Sequence, residues 1–249
     1  MKGMNLFDVK QWQPLSYFNV ENSFFTLNSE TIINTWIALF VLLIGCVIAY
    51  RFIGHKQSVV RYAVLSFVRN FVDLCTQAIG YFSFTHTIFI TTIFLFITLC
   101  NVVAILPFTV EPTKDLNTAL SLGILSFIYI QWHAIRSHGP IEYIREYFSP
   151  LFIMFPLHVV GKLSSVVSIS FRLFGNIFGS AMITHIYSLV VTSYWWTELL
   201  GIITGLNIII VLFFILFEGL LQAFVFTMLT LTYLAIAISP EEEVHEGSI

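Results

Sequence analysis

The sequence predicts an all-α polytopic membrane protein with about five transmembrane helices plus one interfacial helix. Charged residues make up 10 % of the 249 residues, hydrophobic residues 57 %, and the mean hydropathy is +0.88, whereas a soluble domain carries about 25 % charged residues. Several apolar stretches also reach the roughly 20 residues that a helix needs to cross a bilayer. Because so little charge cannot cover a soluble surface, we expect residues 1–249 to form a single membrane domain.

The apolar stretches and their polar boundaries predict the elements before the last third of the chain. No cleavable signal peptide is evident, since the first apolar stretch is long enough to span the bilayer. Residues 1–30 precede it, and residues 31–150 are expected to form the peripheral helices. These are a span Thr31–Tyr50, an interfacial helix Ser58–Phe84, spans Thr85–Leu106 and Thr118–Ala134 separated by a polar loop Pro112–Thr118, and a charged loop Arg136–Tyr147 broken at Gly139–Pro140.

Residues 151–238 are predicted to form a hairpin of two long helices, because no proline occurs between Pro156 and Pro240. A polar interruption, Thr192–Glu198, separates helices at Leu157–Val191 and Leu199–Ile238. Each helix would be about 50 to 60 Å long at 1.5 Å per residue. Since this is nearly twice the thickness of the hydrocarbon core, we expect both helices to be steeply tilted.

The basic residues predict the orientation, because cytoplasmic loops carry an excess of lysine and arginine. Such residues cluster after the first and third spans, at Arg51, Lys56, Arg61, Arg69, Arg136, Arg145 and Lys162. The N-terminus is therefore predicted to lie outside, and the acidic tail, residues 239–249, in the cytoplasm. Lys2 and Lys10 in the N-terminal segment argue mildly against this orientation.

An arginine in the middle of the first long helix, Arg172, indicates function. A charge at mid-bilayer costs about 2.5 to 17 kcal/mol, and arginine does not shed its proton. Arg172 must therefore face water or a carboxylate, unless it snorkels to an interface. Its helical face is a stripe of small and polar residues, made up of His158, Gly161, Ser165, Ser168, Arg172, Asn176 and Gly179.

The second long helix carries its own polar pair, Glu218 and Gln222, one turn apart on one face. In an antiparallel hairpin Gln222 can lie near the level of Arg172, with Glu218 one turn nearer the outside. Glu218 is a candidate proton relay or, alternatively, the partner of Arg172 in a static salt bridge. His185 also lies on the outer side, but about 140° around the helix from Arg172.

Four motifs resemble the a subunit of F-type ATP synthases. Ser168–Asn176 (Ser-Ile-Ser-Phe-Arg-Leu-Phe-Gly-Asn) is similar to the signature helix of that family, in its bacterial form. Leu221–Thr230 resembles its last helix, Pro112–Thr118 its outer loop, and Asn101 with Pro107 the end of the preceding helix. The motifs occur in the family's order and cover most of the chain.

The resemblance implies a stator subunit with no catalytic site, cofactor or metal of its own, which couples ion flow to rotation and ATP synthesis. It would present two offset half-channels to a ring of c subunits, each bearing one carboxylate. The outer path would pass Glu218, His185 and Asn176, the inner path Ser168, Ser165 and His158, and Arg172 would stand between them with Gln222. The implied setting is a bacterial inner membrane, within a hetero-oligomeric complex containing one copy of this chain, its lipid, a c ring and a b-subunit stalk, and no nucleic acid.

The sequence departs from the family pattern at three positions. Ala181 stands where an acid or histidine is usual, Ile215 where histidine or glutamate is frequent, and His158 where glutamate is common. Glu218 and His185 are candidates to replace the first two. Two other functions stay open at this point, namely a self-contained transporter that uses Arg172 and Glu218 as its own ion pair, and a membrane scaffold whose polar stripe only binds partners.

Overall fold

The computed structural model describes residues 11–12, 27–54, 59–103, 111–148, 155–192, 196, 205, 209–210 and 212–239. Five helices in these ranges are long and apolar enough to cross a membrane, judged by length and composition. The predicted all-α polytopic membrane fold is thereby confirmed.

The helical elements follow one another with short connections. In chain order they are α1 Ser29–Ile53, α2 Val59–Ile79, α3 Phe84–Val103, a 3₁₀ turn Pro112–Lys114, α4 Leu116–His138, α5 Pro140–Phe148, α6 Phe155–Thr192, a π-helical turn Leu212–Glu218, and α7 Gly219–Ile238. Before α1, a two-residue strand Gln11–Trp12 pairs antiparallel with Leu27–Asn28.

Helix α2 is amphipathic and is not among the five apolar helices. It buries Phe71 and Cys75 and exposes Arg69 and Asp73. This pattern suits a helix that covers a bundle with one side and meets water or headgroups with the other. Its place at a membrane surface stays a prediction.

The two predicted loops are partly helical, which corrects the sequence analysis. The polar segment before the third span folds into the 3₁₀ turn and the first turn of α4, which Asp115 caps by accepting a hydrogen bond from the backbone N–H of Asn117 at 3.0 Å. In the charged segment, Gly139 does break the chain with φ of +83°. Pro140 then starts α5, because proline at the first helical position sacrifices no hydrogen bond.

The first long helix is confirmed, since α6 has 38 residues and is therefore about 57 Å long. The second departs from the prediction of one uninterrupted α-helix, because residues 212–218 are π-helical before α7 begins. Most of residues 193–211 lie outside the described residues. The tilt of both helices stays a prediction.

Hydrogen bonds between distant residues fix the relative directions of the helices. At the end of the bundle that holds residues 112–114, named here the turn end, Asn101 of α3 donates to the carbonyl of Gly219 of α7 at 2.9 Å. At the opposite end, named here the α5 end, His138 of α4 contacts the carbonyl of Ala237 of α7 at 3.2 Å. Helices α4 and α7 therefore both run from the turn end to the α5 end, antiparallel to α3.

The main core lies between α3, α4, α6 and α7, where α4 and α6 meet most closely at Gly123. A Cβ atom built at Gly123 would lie 2.0 Å from Ser170 Oγ, so only glycine permits this approach of the two helices. The core side chains are Ile93, Ile97, Ala119, Leu122, Ile169, Leu173, Ile177, Ala223 and Phe226.

Candidate functional site

Arg172 lies near the middle of α6, on the side that faces away from the core. Leu173 on one flank is fully buried in the core, whereas Phe171 on the other is 48 % exposed, and Arg172 itself is exposed. Arg172 forms no ion pair with any residue in the described ranges. The helix therefore presents a fixed positive charge outward, and the rest of the described chain does not neutralise it.

The small and polar stripe predicted around Arg172 lies on the same open surface. Gly161, Ser168 and Asn176 are exposed, and His158, Ser165 and Gly179 are half-buried. A Cβ atom at Gly161 or Gly179 would meet nothing within 4 Å. These glycines are therefore not required for packing within the described part of the chain, and they leave a smooth surface that another helix can approach closely.

A short hydrogen bond joins α6 to α7 beside Arg172. Asn176 Nδ2 donates to Gln222 Oε1 at 2.6 Å, and Gln222 is only 1 % exposed. The structure thus brings Gln222 to within one turn of the level of Arg172. Gln222 Nε2 is buried and has no hydrogen-bond partner in the described chain, so it is an available donor at this point.

Glu218 is the last residue of the π turn and lies one turn nearer the turn end than Gln222. It is half-buried, and its Oε2 atom is buried without a hydrogen-bond partner among the described residues. No salt bridge between Glu218 and Arg172 is present in the described chain. The alternative of a static internal ion pair is therefore not observed.

The remaining predicted residues are not brought together with these. His185 is half-buried and lies about 20 Å from Arg172 along α6, at 1.5 Å per residue. Ala181, which stands where the resembling family has an acid or histidine, is half-buried as well. The side chain of Ile215 lies outside the described part of the chain.

A cavity of about 850 Å³ opens at the α5 end, between α4, α5, α6 and α7. Its polar lining includes Ser126, Gln131, His138, Tyr143, Lys162 and Ser165. It extends inward to Gly123 and Ile169, and Ile169 is one helical turn from Arg172. Neither Ser168 nor His158 lines it.

Most of this lining was missed in the sequence, although a signal exists. Ser126, Gln131 and His138 of α4 recur at helical spacing, and the same helical-face comparison that picked out the stripe on α6 would have found them. Tyr143 lies on α5, which the sequence analysis assigned to a loop. It donates a hydrogen bond to Gln131 Oε1 and lies beneath Lys162 Nζ, which is 5.0 Å from the centre of its ring.

A buried carboxyl group lies at the turn end, outside the apolar spans. Glu111 precedes the 3₁₀ turn, and burial raises its pKa above the ordinary value, an effect that nearby Lys114 partly offsets. In the described chain no group of three or more histidine, cysteine, aspartate or glutamate side chains is arranged to hold a metal ion.

Comparison with known proteins agrees with this arrangement. The family model "ATP synthase A chain" matches residues 32–235. The chain is 34 % identical to ATP synthase subunit a of Moorella thermoacetica, over 83 % of this chain and 89 % of that protein. It is 30 % identical to ATP synthase subunit a 2 of Pelobacter propionicus, over 86 % and 91 %, and 31 % identical to ATP synthase subunit a of Aliarcobacter butzleri, over 84 % and 92 %.

Proposed function

The chain belongs to the ATP synthase A chain family, and from that premise we propose that it forms two offset half-channels that carry protons to and from the carboxylates of a c-subunit ring. Membership makes it a proton-translocating, multi-pass subunit of F0 within a hetero-oligomeric complex. The half-channels, the ring contact and the residues that serve them are the proposal.

The observation that carries the proposal is the exposed, unpaired charge of Arg172 in the middle of an apolar helix. Such a charge facing lipid costs several kcal/mol, and the described chain offers it no carboxylate. A carboxylate on a neighbouring subunit would supply the missing counter-charge. Because a nearby cation favours the ionised form of a carboxyl group, a ring carboxyl that reaches Arg172 releases its proton there.

The cavity at the α5 end supports a path for the released proton. It is lined by hydroxyl, amide, imidazole and amine groups, which can hold water, and it ends one helical turn from Arg172. Ser165 is the stripe residue that joins this cavity to the surface of α6. Ser168 and His158 extend the same path along the open surface of the helix.

The path on the turn side runs through Glu218, Asn176 and Gln222. Glu218 offers a carboxyl group half-buried in an apolar segment, and Asn176 lies one turn beyond Arg172 on the stripe. Intramembrane carboxyl groups of this kind are typical of proton relays. His185, further towards the same end, is the outermost member of this path.

Arg172 separates the two paths, because a fixed cation repels a proton that moves directly between them. A proton that enters on one side must then bind a ring carboxyl, travel around with the ring, and leave on the other side. The membrane potential supplies about 2.3 kcal/mol per charge for each 100 mV. Rotation of the ring is therefore coupled to proton flow and, through the complex, to ATP synthesis.

The basic clusters support the orientation predicted from the sequence, with the α5 end in the cytoplasm and the turn end outside. The N-terminus is then outside and residues 239–249 are cytoplasmic, in a bacterial inner membrane. Residues 151–238 face the ring, whereas residues 31–150 are available to a b-subunit stalk and to lipid. One copy of the chain serves each complex.

ATP-driven acidification of inverted membrane vesicles tests this proposal. Arg172→Ala, in complexes that assemble to the wild-type level, is expected to abolish acidification while ATP hydrolysis persists. Arg69→Ala is the matched control, because Arg69 is an exposed arginine on α2, outside the α6–α7 face.

Two outcomes would contradict the proposal. Normal acidification by assembled Arg172→Ala complexes would reduce Arg172 to a structural residue, and loss of assembly alone would favour a scaffold that only binds partners. Proton transport by the purified chain, reconstituted without other subunits, would instead favour a self-contained transporter.

A further inference from the structure

The junction between the π turn and α7 is held by a buried hydrogen-bond chain from two other elements. Asn101 of α3 donates through Nδ2 to the carbonyl of Gly219 at 2.9 Å. Thr113 of the 3₁₀ turn donates to Asn101 Oδ1 at 3.2 Å. Asn101 is 3 % exposed and Thr113 is fully buried, so water does not compete for either bond.

Gly219 is fitted to this contact. A Cβ atom at position 219 would lie 2.9 Å from Asn101 Cβ and 3.0 Å from Asn101 Nδ2, too close for any other residue without displacing Asn101. The hydrogen-bond chain therefore has a definite geometry, and it ends at the residue that follows Glu218.

The π turn needs such support, because π-helical hydrogen bonding is less favourable than α-helical bonding and occurs mostly as single turns at functional sites. Its sequence, Leu212–Glu218, contains no proline or glycine that would impose the distortion. If the extra residue relaxed into a regular α-helix, the segment before Gly219 would rotate by about 100° about the helix axis. Glu218 would then point in a different direction relative to Gln222.

We propose that Asn101, oriented by Thr113, is a positioning residue for proton transfer at Glu218, because its bond to the Gly219 carbonyl stabilises the π turn that aims the Glu218 carboxyl group. This rests on the relay role proposed for Glu218. Asn101 touches no transferred proton. Its effect is to fix where the carboxyl group stands beside Gln222 and Asn176.

ATP synthesis driven by an acid–base jump in vesicles containing the whole complex tests this. The pH inside the vesicle, on the turn side, is varied while the pH on the α5 side is held constant. Asn101→Asp keeps the shape of the side chain but replaces the donor by an acceptor. We expect it to lower the rate by at least about tenfold, since a misplacement of about 1 Å can cost a hundredfold, and to displace the midpoint of the turn-side pH profile by about one unit.

Two further variants complete the comparison. Thr113→Val removes only the group that orients Asn101 and is expected to act in the same direction with a smaller effect, so it also serves if Asn101→Asp fails to assemble. Thr98→Val is the matched control, because Thr98 lies on the same helix and its buried hydroxyl has no partner in the described chain. It should leave both rate and midpoint unchanged. The charged and titratable groups of the neighbouring elements, Glu111, Lys114, Asp115, Arg172 and His185, are the same in every variant.

The outcomes separate the positioning role of Asn101 from the relay role of Glu218. A lower rate with an unchanged midpoint in Asn101→Asp and Thr113→Val would show a merely structural role and overturn the positioning proposal. Glu218→Gln is measured alongside. If it leaves proton transfer unchanged, the relay role of Glu218 fails whatever Asn101 does, whereas a loss in Glu218→Gln with normal Asn101 and Thr113 variants overturns the positioning proposal alone.

Discussion

The close approach of α4 and α6 makes Gly123 the most sensitive packing position next to the site. In Gly123→Ala the new Cβ atom would lie 2.0 Å from Ser170 Oγ, about 1.4 Å short of ordinary contact at 3.4 Å. Ser170 is fully buried, so its hydroxyl cannot swing into solvent. We expect the two helices to separate locally, at the cost of about 1 to 3 kcal/mol that overpacking usually brings.

A second substitution isolates the clash between these two side chains. Ser170 Oγ is buried and has no hydrogen-bond partner among the described residues, so Ser170→Ala alone should be neutral or slightly stabilising. In Gly123→Ala/Ser170→Ala the nearest remaining contacts are 3.4 Å, to Ser170 Cβ and to the carbonyl of Val166. The double variant should therefore recover most of the lost stability.

The assay uses a buried cysteine of the chain itself. Cys100 is fully buried in α3, and alkylation of its thiol, quantified by mass spectrometry over a temperature ramp, reports when the bundle opens. Gly123→Ala should lower the temperature of half-labelling by several degrees, on the order of 3 °C per kcal/mol, and the double variant should restore it. If the double variant is as unstable as Gly123→Ala, the clash with Ser170 is not the cause of the destabilisation and the steric reasoning is refuted.

Three other predictions use the same measurements. Asn176→Ala should destabilise the chain by about 1 to 3 kcal/mol, because buried Gln222 then has no partner for Oε1, and added Gln222→Leu should recover stability but not pumping; recovery of both would contradict the site. Glu111→Gln should raise stability increasingly as pH rises, since the stabilising effect of a raised pKa is complete below the ordinary value of 4.5 and is lost above the raised one; a pH-independent difference in half-labelling temperature would be the contrary result. Tyr143→Phe, which removes the bond to Gln131, should cost about 1 kcal/mol and slow ATP-driven pumping, and unchanged pumping would mean that the cavity is not on the proton path.

The sequence predicted the elements whose limits depend on apolar length. Helices α1, α3, α4 and α6 all occur near their predicted places, because a run of about 20 apolar residues has few alternatives to a spanning helix. The pairing of Asn176 with Gln222 was also within reach, since it follows from helical period and an antiparallel hairpin.

The elements that the sequence did not predict depend on contacts between distant residues. Helix α5 is only nine residues long, too short to be stable alone, and it packs through Tyr143 against α4 and α6. The π turn has no local signal, and its support from Asn101 lies 118 residues away in the chain. The cavity depends on how four helices pack, which no single helical face reveals.

The most direct test of the central claim measures proton leakage through F0 with the ring held still. A disulfide between Gly175→Cys, on the exposed face of α6, and a cysteine introduced into the ring would prevent rotation. Proton flux is then recorded across vesicles that contain this locked complex, with Arg172 or with Arg172→Ala. If Arg172 is the barrier between two half-channels, the locked complex with Arg172 is tight and Arg172→Ala leaks protons. A tight membrane in both cases would contradict the account.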